Sequence, residues 1–202
     1  LAKTMVSIGD NVGRKTVAII SNMEQPLGHA VGNALEVIEA IETLKGRGSE
    51  ELLDLCLALG SQMLVLGGAA KTKEEAEKML KEVIANGKAI EKLKEFVLNQ
   101  GGDISSIDDY SKFPQASIKE DVIALSSGYI SELHAENIGL ASLMLGAGRE
   151  TKESIIDLSA GIYLHKKVGD KVEKGTVLAT IYCNPDVKKE EAKSLILNNY
   201  FI

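Results

Sequence analysis

The sequence predicts an α/β protein in which helices dominate up to residue 114 and short strands dominate from residue 115 onward. A strand-like apolar run occupies residues 15–20, and four segments with helical apolar periodicity follow it. Beyond residue 115 the apolar runs are short and separated by glycine, which is typical of strands and tight turns. With 202 residues the chain can form one domain or two. We predict two domains, residues 1–114 and residues 115–202, separated by the polar segment 103–114.

Capping residues mark the helices of the first region. The predicted N-caps are Asn33, Ser49 and Thr72, and the first and third are followed three residues later by a glutamate, as in a capping box. The second helix is apolar on most sides from residue 52 to residue 66, which predicts that it is buried. A further helix is expected over residues 90–98. Glycines supply the predicted stops at Gly46, Gly67, Gly68, Gly87 and Gly101.

The N-terminal residues predict a helix that has no cap. Leu1, Met5 and Ile8 lie on one helical face, and Gly9 is expected to end the helix. Because the chain starts at Leu1 with no initiator methionine and no leading loop, it is expected to be a fragment of a longer polypeptide.

The second region is predicted to be β-rich with two helices. Strands are expected over residues 122–125, 128–133, 162–165 and 176–181. Helices are expected over residues 137–145, where Gly146 and Gly148 form a stop, and over residues 186–197.

Charge and composition exclude several function classes. The net charge of −6 argues against binding to a phosphate backbone, which requires clustered Lys and Arg. No apolar run reaches the length that spans a membrane, and no leader peptide is expected. Cys56 and Cys183 lack the spacing of a metal or redox motif, which favours two buried free thiols in a cytoplasmic protein over the alternative of a disulfide.

Two segments resemble the halves of a biotinyl or lipoyl module. The first covers residues 127–130 and the second covers residues 166–178, with a tight turn and a second glycine between short strands. A carrier needs an exposed lysine at the tip of a hairpin between the halves. Lys152, Lys166 and Lys167 lack that setting, so we predict that the barrel-sandwich architecture serves a structural role here. A non-catalytic binding or interaction module remains the alternative function.

Residues 25–39 form the most informative segment, because a Pro-Leu-Gly turn there leads into a helix that carries carboxylates. Glu39 lies in the second turn of that helix, within reach of a loop that folds back over it. Backbone carbonyls and one carboxylate suit a monovalent cation such as potassium, whereas a solvated helix face is the simpler interpretation. For Glu36 a capping role is sufficient, and for Glu42 a solvated face. His29 is either a ligand in this loop or a loop histidine in a hydrogen bond.

Several motifs together resemble a known family. They are DNVGRKT at residues 10–16, QPLGHAVGNALE at 25–36, QGGD at 100–103, GAGR at 146–149 and LHKKVGD at 164–170. In this order they are similar to the C-terminal half of pyrimidine-nucleoside phosphorylase and thymidine phosphorylase. The resemblance covers the whole chain.

The resemblance implies a homodimeric pentosyltransferase of pyrimidine salvage that acts on a pyrimidine nucleoside and inorganic phosphate. It implies that this chain holds the C-terminal part of a mixed-sheet α/β domain, followed by a β-rich, barrel-sandwich-like C-terminal domain. It implies a potassium site whose ligands include the carbonyls of Leu27 and Ala30 and the side chain of Glu39. The phosphate loop, the helical domain and the base-gripping residues belong upstream of Leu1, so we expect no catalytic residue here, no identifiable substrate-binding residue, and no activity from this chain alone.

Overall fold

The structure is a computed structural model that describes residues 1–185 and 187–202. It has the mixed helix and strand content of an α/β protein. Its helices are α1 (Ala2–Asn11), α2 (Asn33–Leu44), α3 (Glu50–Leu66), α4 (Lys73–Ala85), α5 (Lys88–Asn99), α6 (Ala135–Ser142) and α7 (Lys189–Asn198). Its strands are β1 (Ala30–Gly32), β2 (Ile118–Ile123), β3 (Gly128–Tyr129), β4 (Glu132–Leu133), β5 (Gly161–Leu164), β6 (Lys171–Val172), β7 (Val177–Cys183) and β8 (Tyr200–Phe201).

The chain divides into two compact units. The first consists of Leu1–Asn22 and Thr43–Leu93, and the second of Met23–Glu42 and Lys94–Ile202. The domain ranges predicted from the sequence, residues 1–114 and 115–202, stay a prediction. Within the described residues, no helix combines the length and the apolar character needed to cross a membrane.

The first unit contains the packed pair of helices α3 and α4. Ser49 and Thr72 cap these helices as predicted, since their hydroxyls accept hydrogen bonds from the backbone N–H of Leu52 and Glu75 at 3.4 and 3.2 Å. The glutamate of the second cap, Glu75, reaches back past the cap to the N–H of Lys71 at 2.8 Å, so it satisfies a donor just outside the helix rather than the N–H of Thr72 that a capping box would use.

Several predictions for the first unit are wrong. Helix α3 is not buried as predicted, since among its described side chains only Leu57 and Ser61 are buried. Its apolar residues Leu59, Met63 and Leu66 are exposed to solvent, and so is Cys56. Helix α1 continues past Gly9 to Asn11, because the left-handed glycine that closes it is Gly13, with φ of 74°, and not Gly9.

The strand predicted over residues 15–20 is also wrong. These residues have no strand conformation, and no described strand pairs with them. A strand needs a neighbour to satisfy its N–H and C=O groups, and apolar composition alone does not supply one.

The second unit is built on a four-stranded antiparallel sheet in the order β1-β5-β7-β2. Two smaller antiparallel pairs, β3-β6 and β4-β8, accompany it. Every strand pair among the described residues is antiparallel, and residues 1–114 contribute only β1 to them. Among the described residues, 1–114 therefore form no sheet of their own, because β1 pairs with β5 from the second region. That residues 1–114 are the C-terminal part of a mixed-sheet α/β domain stays a prediction.

Helices α6 and α7 cover one face of the large sheet and build the core. Side chains that are fully excluded from water include Ile162 and Leu164 of β5, Ile181 of β7, Ile138 of α6 and Ile196 of α7. Burying an aliphatic side chain contributes roughly 1.5–3 kcal/mol, so these residues dominate the stability of this unit. Residues 143–147 continue α6 as a single π-helical turn, and Gly146, with φ of 102°, ends it as the sequence predicts.

The strand predicted over residues 128–133 is split into β3 and β4. The two pieces pair with different partners because Ile130 N donates to Asp170 O at 3.0 Å while Ser131 N turns to Phe201 O at 2.8 Å. Strand β3 pairs with β6, so the two lipoyl-like segments are neighbours in the fold. The barrel-sandwich description itself stays a prediction.

The polar segment 103–114 contains two short 3₁₀ turns, Ile104–Ile107 and Tyr110–Lys112. The carboxylates of Asp103 and Asp109 cap them. The predicted C-terminal helix is confirmed as α7, and Asp186, at the start of the predicted range, lies outside the described residues.

Candidate functional site at the start of β1

The loop that the sequence singles out leads into β1, the edge strand of the large sheet. Leu164 N donates to His29 O at 2.7 Å, which fixes the alternation of the β1-β5 ladder. In an antiparallel ladder every second residue turns its N–H and C=O away from the neighbouring strand. Ala30 and Gly32 are the residues that face outward, so their backbone groups lie on the open edge.

Two glutamates of α2 cover this open edge. The Glu39 carboxylate accepts from His29 N at 2.7 Å and from Ala30 N at 3.2 Å, and Glu36 Oε1 accepts from Gly32 N at 2.8 Å. Helix α2 follows β1 directly, so its first turns return over the strand. The carboxylates thereby satisfy N–H groups that an edge strand otherwise leaves unpaired.

Gly28 permits the closest approach between the loop and Glu39. A Cβ at this position would lie 2.5 Å from Glu39 Oε2, and the backbone has φ of 72°. Any other residue would both displace the carboxylate and adopt a strained left-handed conformation.

His29 is the loop histidine in a hydrogen bond that the simpler hypothesis describes. Its Nδ1 donates to Leu164 O at 2.7 Å, since a carbonyl can only accept. The ring therefore takes the place of the backbone N–H of His29 as the donor to Leu164 O, because that N–H donates to Glu39 instead. The imidazole also stacks on Tyr163, with ring centroids 5.8 Å apart and planes at 20°.

The charge of Glu39 reaches the neighbouring phenol. Burial, and then the negative charge of Glu39, raise the pKa of the Tyr163 hydroxyl above its ordinary value of 10.0. Tyr163 is therefore a neutral group at physiological pH beside a carboxylate.

The other carboxylate and histidine predictions have mixed outcomes. Glu42 is not simply solvated, because it accepts a short hydrogen bond from the hydroxyl of Tyr110. Among the described residues no hydrogen bond from the α2 backbone to Asn33 Oδ1 is formed, and the Asn33 Nδ2 donates to Ala147 O at 2.8 Å. His165 follows β5 and bonds to Thr180 Oγ1 at 2.8 Å, and His134 lies 3.1 Å from Glu132. In the part of the chain that the structure describes, no three His, Cys, Asp or Glu side chains gather into a metal-binding group.

Of the residues predicted to hold a cation, the structure brings Ala30 and Glu39 into direct contact at the strand edge, through the Ala30 N–H at 3.2 Å. By strand alternation the Ala30 C=O lies on the same side of the strand as its N–H, and Leu27 precedes Gly28, the glycine that approaches the carboxylate. All three groups supply oxygen, which suits hard cations rather than zinc or copper.

Sequence reasoning missed the contacts that hold this loop from the other side. Lys167 Nζ donates to Pro26 O at 2.6 Å, and Val168 N donates to Gln25 Oε1 at 3.1 Å. The partners are about 140 residues apart in the chain, and no local pattern signals such a contact. This contact argues against Lys167 as the exposed lysine of a carrier module, because its ammonium is buried and hydrogen-bonded.

A cleft of ≈ 520 Å³ lies beside the junction of β1 and α2. Its polar groups are already engaged, because Glu36 accepts from Gly32, Asn33 donates to Ala147, and Ser142 Oγ donates to Val31 O at 3.1 Å. These contacts close the wall of the cleft, and we assign no ligand to it.

Comparisons with known proteins cover both regions of the chain. Residues 1–90 match the model described as "Glycosyl transferase family, a/b domain", and residues 129–202 match the model described as "Pyrimidine nucleoside phosphorylase C-terminal domain". The pyrimidine-nucleoside phosphorylase of Bacillus subtilis (strain 168) is 61% identical over 184 residues, which cover 91% of this chain and 42% of that protein. The enzyme of Staphylococcus haemolyticus is 56% identical, covering 96% of this chain and 45% of its own length. The enzyme of Staphylococcus aureus (strain USA300) is 53% identical, covering 100% of this chain and 48% of its own length.

Together the two matched models define a glycosyltransferase-type α/β region followed by a dedicated C-terminal domain. The chain belongs to the pyrimidine-nucleoside phosphorylase family and carries the C-terminal domain of that family. It spans about half the length of the curated relatives that it matches, between 42% and 48%.

Proposed function

We propose that the whole protein containing this chain catalyses the reversible phosphorolysis of pyrimidine nucleosides in pyrimidine salvage. The substrates are uridine, thymidine and deoxyuridine, and the products are the free base and ribose or deoxyribose 1-phosphate. The observation that carries the proposal is the 53–61% identity to pyrimidine-nucleoside phosphorylases over 91–100% of the chain. Because the chain spans less than half of those proteins, the activity is proposed for the whole protein.

In this reaction phosphate oxygen forms a bond to the anomeric carbon as the bond to the base nitrogen breaks. The transition state resembles an oxocarbenium ion, so the protein must place phosphate beneath the sugar and stabilise the negative charge that grows on the base. We propose that residues outside this chain perform these tasks and that this chain alone is inactive. Its contribution is the support of the phosphate-binding region through residues 25–39.

We further propose that a potassium ion is held by the carbonyls of Leu27 and Ala30 and by Glu39. The donor set fits such an ion, since carbonyl and carboxylate oxygens are the ligands of hard cations, and Gly28 lets the loop lie against the Glu39 carboxylate where a Cβ would overlap it. The Glu39 carboxylate already lies against the loop, since its two oxygens accept from His29 N and Ala30 N. When bound, the ion supplies positive charge that braces the loop against the phosphate-binding region of the whole protein.

The potassium proposal predicts the behaviour of E39Q in the whole protein. Loss of the carboxylate charge should raise the potassium concentration needed for half-maximal activity and the KM for phosphate, each by about tenfold. Initial rates measured across a potassium titration at several phosphate concentrations check this. The matched control is E36Q, which alters the other carboxylate on the same strand edge. Identical titrations for E39Q and E36Q would contradict the assignment.

The activity itself is tested by incubating the whole protein with uridine, thymidine or deoxyuridine, with and without phosphate. We expect free base only when phosphate is present. Release of base without phosphate would indicate a hydrolase, and no release from a folded protein would favour the alternative of a non-catalytic module. The homodimer and the cytoplasmic location stay predictions, which sedimentation and cell fractionation would check.

A further inference from the structure

Lys167 is a buried cation in direct contact with the candidate site loop. Its side chain belongs to a residue only 8% exposed, which is rare for lysine in the absence of a partner. The ammonium donates to Pro26 O at 2.6 Å in a buried hydrogen bond. Pro26 precedes Leu27, whose carbonyl is one of the proposed potassium ligands.

The segment around Lys167 grips the loop at both of its ends. At the beginning of the loop, Lys167 holds Pro26 and Val168 N donates to Gln25 Oε1 at 3.1 Å. At its end, Leu164 N donates to His29 O and His29 Nδ1 donates to Leu164 O, both at 2.7 Å. Between these anchors the loop passes over Glu39.

The turn that carries Lys167 is itself fixed. The Asp170 carboxylate accepts from Lys167 N at 3.0 Å, and Asp170 N donates to Lys167 O at 3.1 Å. Gly169, with φ of 96°, allows this reversal, and its N–H donates to Ile130 O at 2.8 Å. The backbone of Lys167 is therefore held in place by hydrogen bonds within its own turn.

An apolar side chain would fill the same space without the cost of removing a charge from water. The charged donor instead fixes the orientation of one carbonyl, and a fixed Pro26 carbonyl restricts the peptide units that follow it. We propose that Lys167 is a positioning residue that sets the path of residues 26–29 over Glu39, so that the loop is ordered before a cation binds. The part that concerns the cation rests on the proposed function, whereas the ordering of the loop does not.

Hydrogen exchange in the whole protein tests the ordering directly. K167M keeps the length of the side chain and removes its donors, and K171M is the matched control on the exposed neighbouring strand β6. In K167M we expect the amides of His29 and Ala30 to lose protection by about tenfold, because the loop then opens locally from Glu39. Amides of β7 should keep their protection. K167R, which retains a charged donor, should fall between K167M and the unsubstituted protein, and it decides the question if K167M does not fold.

A second measurement separates positioning from a general effect on stability. The thermal shift produced by potassium, relative to sodium, should need about tenfold more potassium in K167M than in K171M. Loop protection that is the same in K167M and K171M would overturn the proposal, as would an equal loss of protection in the loop and β7. A selective loss in the loop would support it even if the whole protein released no base, so failure of the proposed function is distinguishable.

Discussion

At the scale of single residues, position 28 requires glycine for two separate reasons, its backbone conformation and its lack of space for a Cβ. Its φ of 72° lies in the left-handed region, and its α-carbon faces Glu39 so closely that a Cβ would lie 2.5 Å from Oε2. Gly101 has nearly the same φ, 77°, but a Cβ there would meet no atom within 4 Å. The two positions therefore separate backbone strain from steric overlap.

We expect G101A to reduce the free energy of unfolding by about 1 kcal/mol, which is the cost of a left-handed alanine. G28A should cost about 2 kcal/mol more, because the loop or the carboxylate must also move. Denaturant unfolding of the two variants checks this. Equal losses would show that the loop does not rest on Glu39 as closely as described.

Two buried serines provide a second contrast at this scale. Ser61 and Ser142 are each 4% exposed, but Ser142 Oγ donates to Val31 O whereas Ser61 Oγ has no hydrogen-bond partner among the described residues. S61A should therefore be neutral or stabilise the fold by up to about 1 kcal/mol, while S142A should destabilise it by about 1 kcal/mol. Thermal unfolding of both variants measures the difference, and a destabilised S61A would contradict the prediction.

The candidate site shows how far single residues can be predicted from sequence. The contact of Glu39 with its loop can be predicted from the sequence, because its partners His29 and Ala30 lie only ten and nine residues before it. The contact of Lys167 cannot be predicted in this way, because its partner Pro26 is 141 residues away. The two residues meet only once β5 has paired with β1. Contacts of that kind depend on the whole fold.

At the scale of elements, α7 is fastened to β2 through Glu120. Its carboxylate accepts from Lys189 Nζ at 2.6 Å and makes a short contact with Lys193. The hydrogen bond from Lys189, followed by that from Lys193, lowers the pKa of Glu120 below its ordinary value of 4.5. The ionised form is therefore favoured in the folded state.

A lowered pKa in the folded state gives stability that is present above the ordinary value and is lost as the pH falls through the folded value. E120Q should reduce the free energy of unfolding at pH 7 by up to about 1 kcal/mol, since the pair is partly exposed. The difference from the unsubstituted protein should shrink below pH 4.5. E173Q, in an exposed turn, serves as the control in unfolding curves collected across this range. A difference that persists at low pH would contradict the role of the charge.

Elements whose signals are local are predicted well, and those that depend on partners are not. The caps at Ser49 and Thr72 form because each satisfies N–H groups within its own turn. The run at residues 15–20 has strand composition but no pairing strand among the described residues. The composition of residues 128–133 is that of one strand, yet they form two, because the first piece pairs with β6 and the second pairs with β8.

At the scale of the whole molecule, the family is established while the chemistry is proposed. The chain matches pyrimidine-nucleoside phosphorylases along its length but spans 42–48% of them. We propose that this chain has a supporting part in the whole protein, through a sheet edge, two glutamates that cover it, and a loop held by residues of the second region.

We propose that the whole protein transfers a pentose from a pyrimidine to phosphate. The most direct test follows uridine and inorganic phosphate by phosphorus NMR while uracil is measured in the same sample. We expect uracil and ribose 1-phosphate to appear in equal amounts, and we expect added uracil and ribose 1-phosphate to regenerate uridine. Uracil without ribose 1-phosphate, or no uracil from a folded protein in potassium phosphate, would contradict this proposal.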